Sequence, residues 1–250
     1  MIRRSLTLLT FLAVAGCAFA DSVAWEVTGQ NHFGMADLST GSFNMVSNIG
    51  FIAAGLGEIG NTVYTANSGG MGLYSINTNT GATSWIGNSS ISYYAFGSTN
   101  SGLYMVDTTG SLWNIDPSNG SSTRIGSTHL NINSSVGLSV GSNNLYIALG
   151  SSIYTINTST GSASYVGTSG STDFGALVDA SGTVYGASIV SPNEIYTFNP
   201  STGTAAFVSA SMAGDYAYGL APVVPEPATF ALLGVAGSLL GAYAWRRRRA

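Results

Sequence analysis

The sequence is poor in charge, and basic residues are almost missing from most of it. Only 7% of the 250 residues are charged, and lysine is absent. Arg124 is the only basic residue between Asp21 and Val224, whereas that stretch holds ten acidic residues, which gives a net charge of −9. Because proteins bind nucleic-acid backbones through clusters of lysine and arginine, this composition excludes nucleic acid as a partner.

Cysteine is equally scarce, because Cys17 is the only one. It lies in a segment with the features of a secretory signal peptide, residues 1–20, in which two arginines precede the apolar run Leu6–Gly16. We expect signal peptidase to cut after the small-residue site formed by Ala18 and Ala20. The alternative is a lipoprotein box ending at Cys17, which would then be lipidated. With cleavage after Ala20, the mature fold has neither a disulfide nor a thiol.

The carboxyl end has three parts. A Pro-Glu-Pro motif at 224–227 precedes an uncharged apolar run at 228–245, which is long enough for a transmembrane helix, and an arginine cluster follows at 246–249. The arginines predict the cytoplasmic, membrane-stop side. The motif residues are Val224, Pro225, Glu226 and Pro227, and the closing arginines are Arg246, Arg247, Arg248 and Arg249.

This tail, residues 224–250, resembles the PEP-CTERM sorting signal of Gram-negative bacteria. The resemblance implies that an exosortase recognises Val224–Pro227 and processes the tail. It also implies export across the inner membrane, anchoring by the C-terminus, and then a place at the cell surface or in an extracellular matrix rich in exopolysaccharide. The alternative is an ordinary single-pass anchor that is never cleaved.

Between these ends, residues 21–223 repeat with a period of about 40 residues. The clearest unit is Ile153–Gly161, an alternating strand that runs into an Asn/Ser/Thr/Gly turn. Successive turn glycines are 40, 39, 41 and 42 residues apart, which is typical of a repeat architecture. The turn glycines are Gly41, Gly81, Gly120, Gly161 and Gly203.

Each repeat is predicted to contain four short strands, a to d. Strand a has an inner glycine that allows close backbone approach: Gly55, Gly97, Gly137, Gly175 and Gly219. Strand b carries an aromatic residue: Trp25, Tyr64, Tyr104, Tyr146 and Tyr185. Strand c carries another: Phe33, Tyr74, Trp113, Tyr154 and Tyr196.

Four antiparallel strands in each repeat are the content of a propeller blade, and the pattern resembles that of secreted bacterial β-propellers. The chain begins at a strand b and ends with an unmatched strand a near 215–221. Pairing of these two strands would complete one blade and close the ring. We therefore predict an all-β, five-bladed β-propeller of four-stranded blades, followed by the C-terminal transmembrane helix.

The sequence contains no recognisable catalytic motif, and we expect neither an enzyme nor a cofactor. Asp37, Asp107, Asp116 and Asp179 stand in turn positions. Asp173 and Asp215 each precede a strand a, and they are the only weak candidates for a metal or catalytic pair.

The repeated aromatic residues have two interpretations. Packing between blades is the first, because one ring at each strand centre suits a repeated core. Sugar-stacking platforms, one for each blade, are the second. Tyr93, Tyr94 and Phe207 are interpreted as non-repeated loop aromatics.

Three functions follow from these features. The first is an exported surface or matrix propeller with a structural or binding role. The alternative is a lectin for the matrix exopolysaccharide. An extracellular polysaccharide hydrolase or lyase is the weakest, because no constellation of acid, base or metal ligands is visible.

Overall fold

The computed structural model describes residues 22–132, 136–141, 143–170, 172–180, 182–190, 194–211 and 213–223. Within these ranges all regular elements are β-strands, and no helix is present that could cross a membrane. The predicted signal peptide and the predicted tail at 224–250 lie outside the described residues. The all-β prediction for the central region is confirmed.

The strands follow one another in groups along the chain. The first group is β1 (Val23–Thr28), β2 (His32–Asp37) and β3 (Phe43–Asn48). The second is β4 (Ala53–Ile59), β5 (Thr62–Asn67), β6 (Gly72–Ile76) and β7 (Thr83–Asn88). The third is β8 (Ala95–Thr99), β9 (Gly102–Val106), β10 (Ser111–Ile115) and β11 (Ser122–Ser127). The fourth is β12 (Val136–Val140), β13 (Leu145–Leu149), β14 (Ser152–Ile156) and β15 (Ala163–Thr168). The last strands are β16 (Phe174–Ala180), β17 (Thr183–Ser188), β18 (Glu194–Phe198), β19 (Ala205–Ala210) and β20 (Ala217–Pro222).

Antiparallel pairing joins the strands within each group in chain order, and it joins β20 to β1. The register of that last pair runs from Ala24 opposite Pro222 to Thr28 opposite Ala217. The predicted pairing of the first strand with the unmatched last strand is therefore confirmed. Short parallel contacts between β4 and β8 and between β12 and β16 connect neighbouring groups into larger curled sheets.

The innermost strands approach one another at their glycines. A Cβ atom added to any of the predicted inner glycines would lie 2.2 to 2.9 Å from a backbone atom of the next inner strand. The contacts form a cycle, from β4 to β8, β12, β16 and β20 and back to β4. The glycine–neighbour pairs are Gly55–Phe96, Gly97–Ser139, Gly137–Ala176, Gly175–Ala217 and Gly219–Leu56. The prediction that these glycines permit close backbone approach is confirmed.

The hairpin after β14 shows how the repeated turn is built. Asn157 Oδ1 accepts hydrogen bonds from the backbone of Ser159 and Thr160, at 2.9 and 3.1 Å. Gly161 N donates to Asn157 O at 2.7 Å, and Gly161 has a φ of +83°. Asp37 and Asp116 accept equivalent bonds in their own turns, which confirms them as turn residues.

Apolar side chains fill the spaces between neighbouring groups. Val106 and Leu112 of the third group, for example, pack with Leu145 and Ile147 of the fourth. The repeated aromatic residues of strands b and c belong to these clusters or border them: Phe33, Tyr104 and Tyr146 are buried, and Trp25, Tyr64, Tyr74, Trp113, Tyr154, Tyr185 and Tyr196 are half-buried. Core packing, the first interpretation of these rings, is confirmed.

We predict that Gly161→Ala destabilises the fold by more than about 1 kcal/mol. The substitution strains a positive φ and also places a Cβ 2.7 Å from the carbonyl carbon of Gly126 on β11. Denaturant unfolding measures the loss. Gly170→Ala is the matched control, because Gly170 has a φ of +85° but no atom within 4 Å of the added Cβ. Equal losses for the two variants would contradict a role for the contact with β11.

Candidate functional site

A cavity of about 500 Å³ lies where the innermost strands begin. Each inner strand contributes to its wall at or just before its first residues, so the cavity lies on the axis around which those strands are arranged. The inner-strand wall residues are Ile52, Ala53, Ala54, Tyr94, Val136, Gly175, Tyr216 and Tyr218. Gly29, Ser68 and Ile189, from segments that follow β1, β5 and β17, complete the wall.

The wall presents polar and apolar surface in similar amounts, and three of its residues are tyrosines. Tyr94 and Tyr218 are exposed at the cavity, and Ile52 is exposed beside them. None of the described residues that line the cavity is charged. A volume of this size is typical of small-molecule sites, which combine apolar walls with a few polar groups. The arrangement therefore suits a small uncharged ligand.

Asp215 lies directly behind this wall. Its Oδ2 is 3.0 Å from the position that a Cβ on Gly29 would occupy, and it is buried without a hydrogen-bond partner among the described residues. Asp173 precedes β16, and its backbone oxygen accepts a hydrogen bond from Ile189 N at 2.9 Å. Both residues thus adjoin elements of the cavity. The proposed pairing of their carboxylates stays a prediction, and the described residues contain no group of three or more His, Cys, Asp or Glu that could hold a metal.

The negative charge of Asp215 affects the ionisation of a second acidic residue, Glu26 on β1. Glu26 is only 1% exposed, and its Oε1 has no hydrogen-bond partner within the described part of the chain. Burial first, and then the nearby charge of Asp215, raises the pKa of Glu26 to about 8. Sequence reasoning missed this residue. The available clue was its position, because Thr65, Met105, Ile147 and Gly186 follow the strand-b aromatic in the other repeats.

A second buried acid, Glu58, lies near the end of the inner strand β4. Its backbone N donates to Ser98 Oγ of β8 at 2.9 Å. Glu58 is 7% exposed, its Oε2 is buried without a partner in the described ranges, and burial raises its pKa to about 8. Neither glutamate lines the cavity, so both are buried structural groups rather than ligand contacts.

Asp107 and Asp179 are turn residues, as predicted. Asp107 accepts hydrogen bonds from Thr109 N, Ser111 N and Trp113 Nε1, at 2.8, 3.0 and 2.8 Å. Burial opposes ionisation of Asp107, but these bonds favour the carboxylate and leave its pKa below the usual value. Asp179 accepts from Gly182 N at 2.8 Å. These carboxylates stabilise turns.

Comparisons with known proteins give separate results for the C-terminal tail and for the β-strand domain that precedes it. A model described as the PEP-CTERM protein-sorting motif matches residues 223–249. The chain carries a PEP-CTERM sorting motif. The motif implies a secreted envelope protein that an exosortase processes. The recognition roles of Val224–Pro227 and the membrane-stop role of Arg246–Arg249 stay predictions, as do signal cleavage at Ala18 and Ala20 and the transmembrane helix.

The domain that precedes the motif is similar to solved propeller-like structures. A chain of the nidogen/laminin complex matches with a TM-score of 0.55 and 12% identity, over 80% of this chain and 80% of that one. A calcium-binding regucalcin from Agrobacterium tumefaciens matches with a TM-score of 0.46 and 16% identity, over 77% of this chain and 71% of that one. No curated protein matches the sequence. The first similarity establishes a propeller-like fold, and at this identity it carries no function.

We predict that the folded domain loses stability as the pH rises from 5 to 9. Glu26 and Glu58 have pKa values near 8 in the folded protein and about 4.5 without burial. Between these two pH values the folded state therefore binds more protons than the unfolded state, and stability falls as the pH rises. Their contribution is complete below pH 4.5 and is lost as the pH rises through about 8. Thermal unfolding should show a Tm at least about 5 °C higher at pH 5 than at pH 9.

The double variant Glu26→Gln/Glu58→Gln is the control, because its side chains do not titrate. Its Tm should change much less between the two pH values than that of the wild type. Asp37 and Asp116 have lowered pKa values because serine hydroxyl groups bond to them, so they titrate below this window. A wild-type Tm that is constant or higher at pH 9 would contradict the assignment.

Proposed function

We propose that the protein is an exported, five-bladed β-propeller of the cell envelope that binds a small uncharged ligand in its axial cavity. The cavity is the observation that carries this proposal, because every inner strand contributes to its wall. Its dimensions and its tyrosine-rich, uncharged lining favour binding.

The number of blades is supported by the strand groups and by the cycle of glycine contacts. Each inner strand belongs to a different antiparallel group of four, with β20 completing the group of β1–β3. Gly219 lies against Leu56 of β4, so the contacts return to the strand from which they began. Pairing of β20 with β1 covers the edge of β1 that would otherwise be open to aggregation.

A glycan-binding protein is the alternative function. The version with one pocket for each repeated strand-b or strand-c ring loses its support, because those rings belong to the core. Tyr94, Tyr216 and Tyr218 in the axial wall favour a single site for a neutral sugar instead. Aromatic faces and hydroxyl groups offer the mixed apolar and polar contacts that a sugar requires.

Catalysis is the least supported role. Glu26, which lies near Asp215, has a raised pKa, a feature that often marks catalytic acids. However, Glu26 Oε1 and Asp215 Oδ2 are both buried, and neither residue lines the cavity. A hydrolase or lyase would need these groups to reach a ligand. We therefore propose a non-enzymatic protein with no cofactor.

The sorting tail determines the cellular location of the protein. Signal peptidase cuts after Ala20, and residues 228–245 then anchor the exported domain in the inner membrane of a Gram-negative cell. The exosortase acts at Val224–Pro227 and releases the domain, residues 21–223, to the surface or matrix. The match of the sorting-motif model to residues 223–249 supports the exosortase step.

The cavity proposal predicts a ligand whose binding depends on the axial wall. The full-length chain is screened by thermal shift against a library of neutral mono- and disaccharides and other uncharged small molecules. Ile52→Trp blocks the cavity mouth and Tyr218→Ala removes a ring, so either should weaken binding of a hit about tenfold or more. Met71→Ala, which changes an exposed residue outside the wall, should not. A screen without a compound that shows this dependence would contradict the proposal.

The sorting proposal predicts that changing Pro225, Glu226 and Pro227 to alanine blocks tail processing in the native host. Mass spectrometry of the cell-envelope fraction should then detect the chain with residues 228–250 still attached. Replacing Ala228 and Thr229 by serine keeps the motif and is the control. Normal processing of the triple-alanine variant would refute recognition at this motif.

A further inference from the structure

The outermost strands carry large exposed aromatic side chains at one repeated position. Trp85 on β7 is 62% exposed, Tyr165 on β15 is 61% exposed and Phe207 on β19 is 58% exposed. Met45 on β3 and Arg124 on β11 occupy the same position in the remaining groups, and both are exposed. Phe207 was interpreted from sequence as a non-repeated loop residue. That interpretation is wrong, because Phe207 lies within β19 at the repeated position.

Each ring stands opposite a half-buried tyrosine of strand c. Trp85 is paired with Tyr74, Tyr165 with Tyr154, and Phe207 with Tyr196. Tyr154 and Tyr165 meet edge to face with centroids 5.5 Å apart, and Tyr196 and Phe207 do so at 5.9 Å. Trp85 Nε1 also donates to Asn88 Oδ1 at 3.4 Å. The exposed rings are thus supported from the core side, which limits the entropy that a ligand must overcome when it stacks on them.

Two of the three rings, Trp85 and Tyr165, lie on strand pairs without charged residues. Strands β6, β7, β14 and β15 contain no charged residue. At the third ring, Tyr196, which contacts Phe207, donates its hydroxyl hydrogen to Glu194 Oε2. An exposed neutral aromatic face suits a partner that offers apolar C–H faces, as the rings of a neutral sugar do. Anionic polymers are disfavoured, because the domain is acidic and Arg124 is the one exposed arginine among its described residues.

The arrangement does not suit a protein partner. The rings lie in different strand groups and are separated by polar turns, whereas protein interfaces need a contiguous patch. Added β-strands are also disfavoured. The register shifts between Leu73 and Tyr74, between Ile153 and Tyr154, and between Ile195 and Tyr196, so a bulge interrupts each outer strand.

We infer that Trp85, Tyr165 and Phe207 are stacking platforms for a neutral polysaccharide, arranged around the outer rim of the domain. Sugar rings of one long chain, or of neighbouring chains, stack on platforms that lie in different strand groups. Each platform binds weakly, and several together retain the polymer by avidity. This rim site is separate from the axial cavity and takes a polymer rather than a small molecule.

The test is retention of the full-length chain on insoluble neutral glucan, galactan and mannan, with the uronate polymer alginate as the anionic comparison. Wild-type protein should be retained on a neutral polymer more strongly than on alginate. The triple variant Trp85→Ala/Tyr165→Ala/Phe207→Ala should bind at least about tenfold more weakly, and a single variant such as Tyr165→Ala about fivefold. Because all three side chains are exposed, the Tm of the triple variant should stay close to that of the wild type.

Two matched controls separate stacking from general surface hydrophobicity. Met71→Ala/Val190→Ala removes exposed apolar side chains outside the rim and should bind like the wild type. Tyr165→Phe keeps the ring and should bind far better than Tyr165→Ala. Absence of wild-type retention on every neutral polymer overturns the inference, as does unchanged retention of the triple variant. Self-association in sedimentation velocity that the triple variant abolishes, without polysaccharide retention, would assign the rings to protein contact. Variants of Ile52 and Tyr218 report on the cavity independently, so the two proposals can fail separately.

Discussion

The structure depends on the pairing of β1 with β20, strands that lie almost 200 residues apart in the chain. This pairing turns a linear series of similar groups into a closed one, so that each group packs between two others. It brings Gly219 against Leu56 and completes the cycle of inner backbone contacts. The outer side closes as well, because Ser209 Oγ donates to Leu38 O at 3.0 Å. Without disulfides in the described residues, closure rests on hydrogen bonds and apolar packing between strands far apart in sequence.

The axial cavity is a consequence of this closure. Tyr216 and Tyr218 come from β20 and the segment before it, whereas Gly29 follows β1, so the terminal strands supply a large part of the wall. The buried pair Glu26 and Asp215 lies in the same closing group, and Glu58 lies on the neighbouring inner strand β4. Buried acids near the junction link the pH dependence of stability to the segment that holds the ring together.

Features set by local chemistry were predictable from the sequence. Gly161 and Asn157 belong to a turn whose geometry depends on a few adjacent residues, and the period of such turns indicated the strand groups. The inner glycines were predictable because only a missing side chain permits that approach of two backbones. Glu26 and Glu58 were missed because their raised pKa values come from burial by distant strands. The exposure of Phe207 on an outer strand was missed for a related reason, since it depends on the order of the strands in the folded sheet.

Hydrogen exchange of the β1 amides tests the central claim of closure most directly. If β20 completes the ring, alternate β1 amides that face β20 should be as strongly protected as those that face β2, because both sets lie in intact ladders. The two sets should then exchange only through global unfolding. Fast exchange of the set that faces β20, with protection of the set that faces β2, would contradict a closed ring.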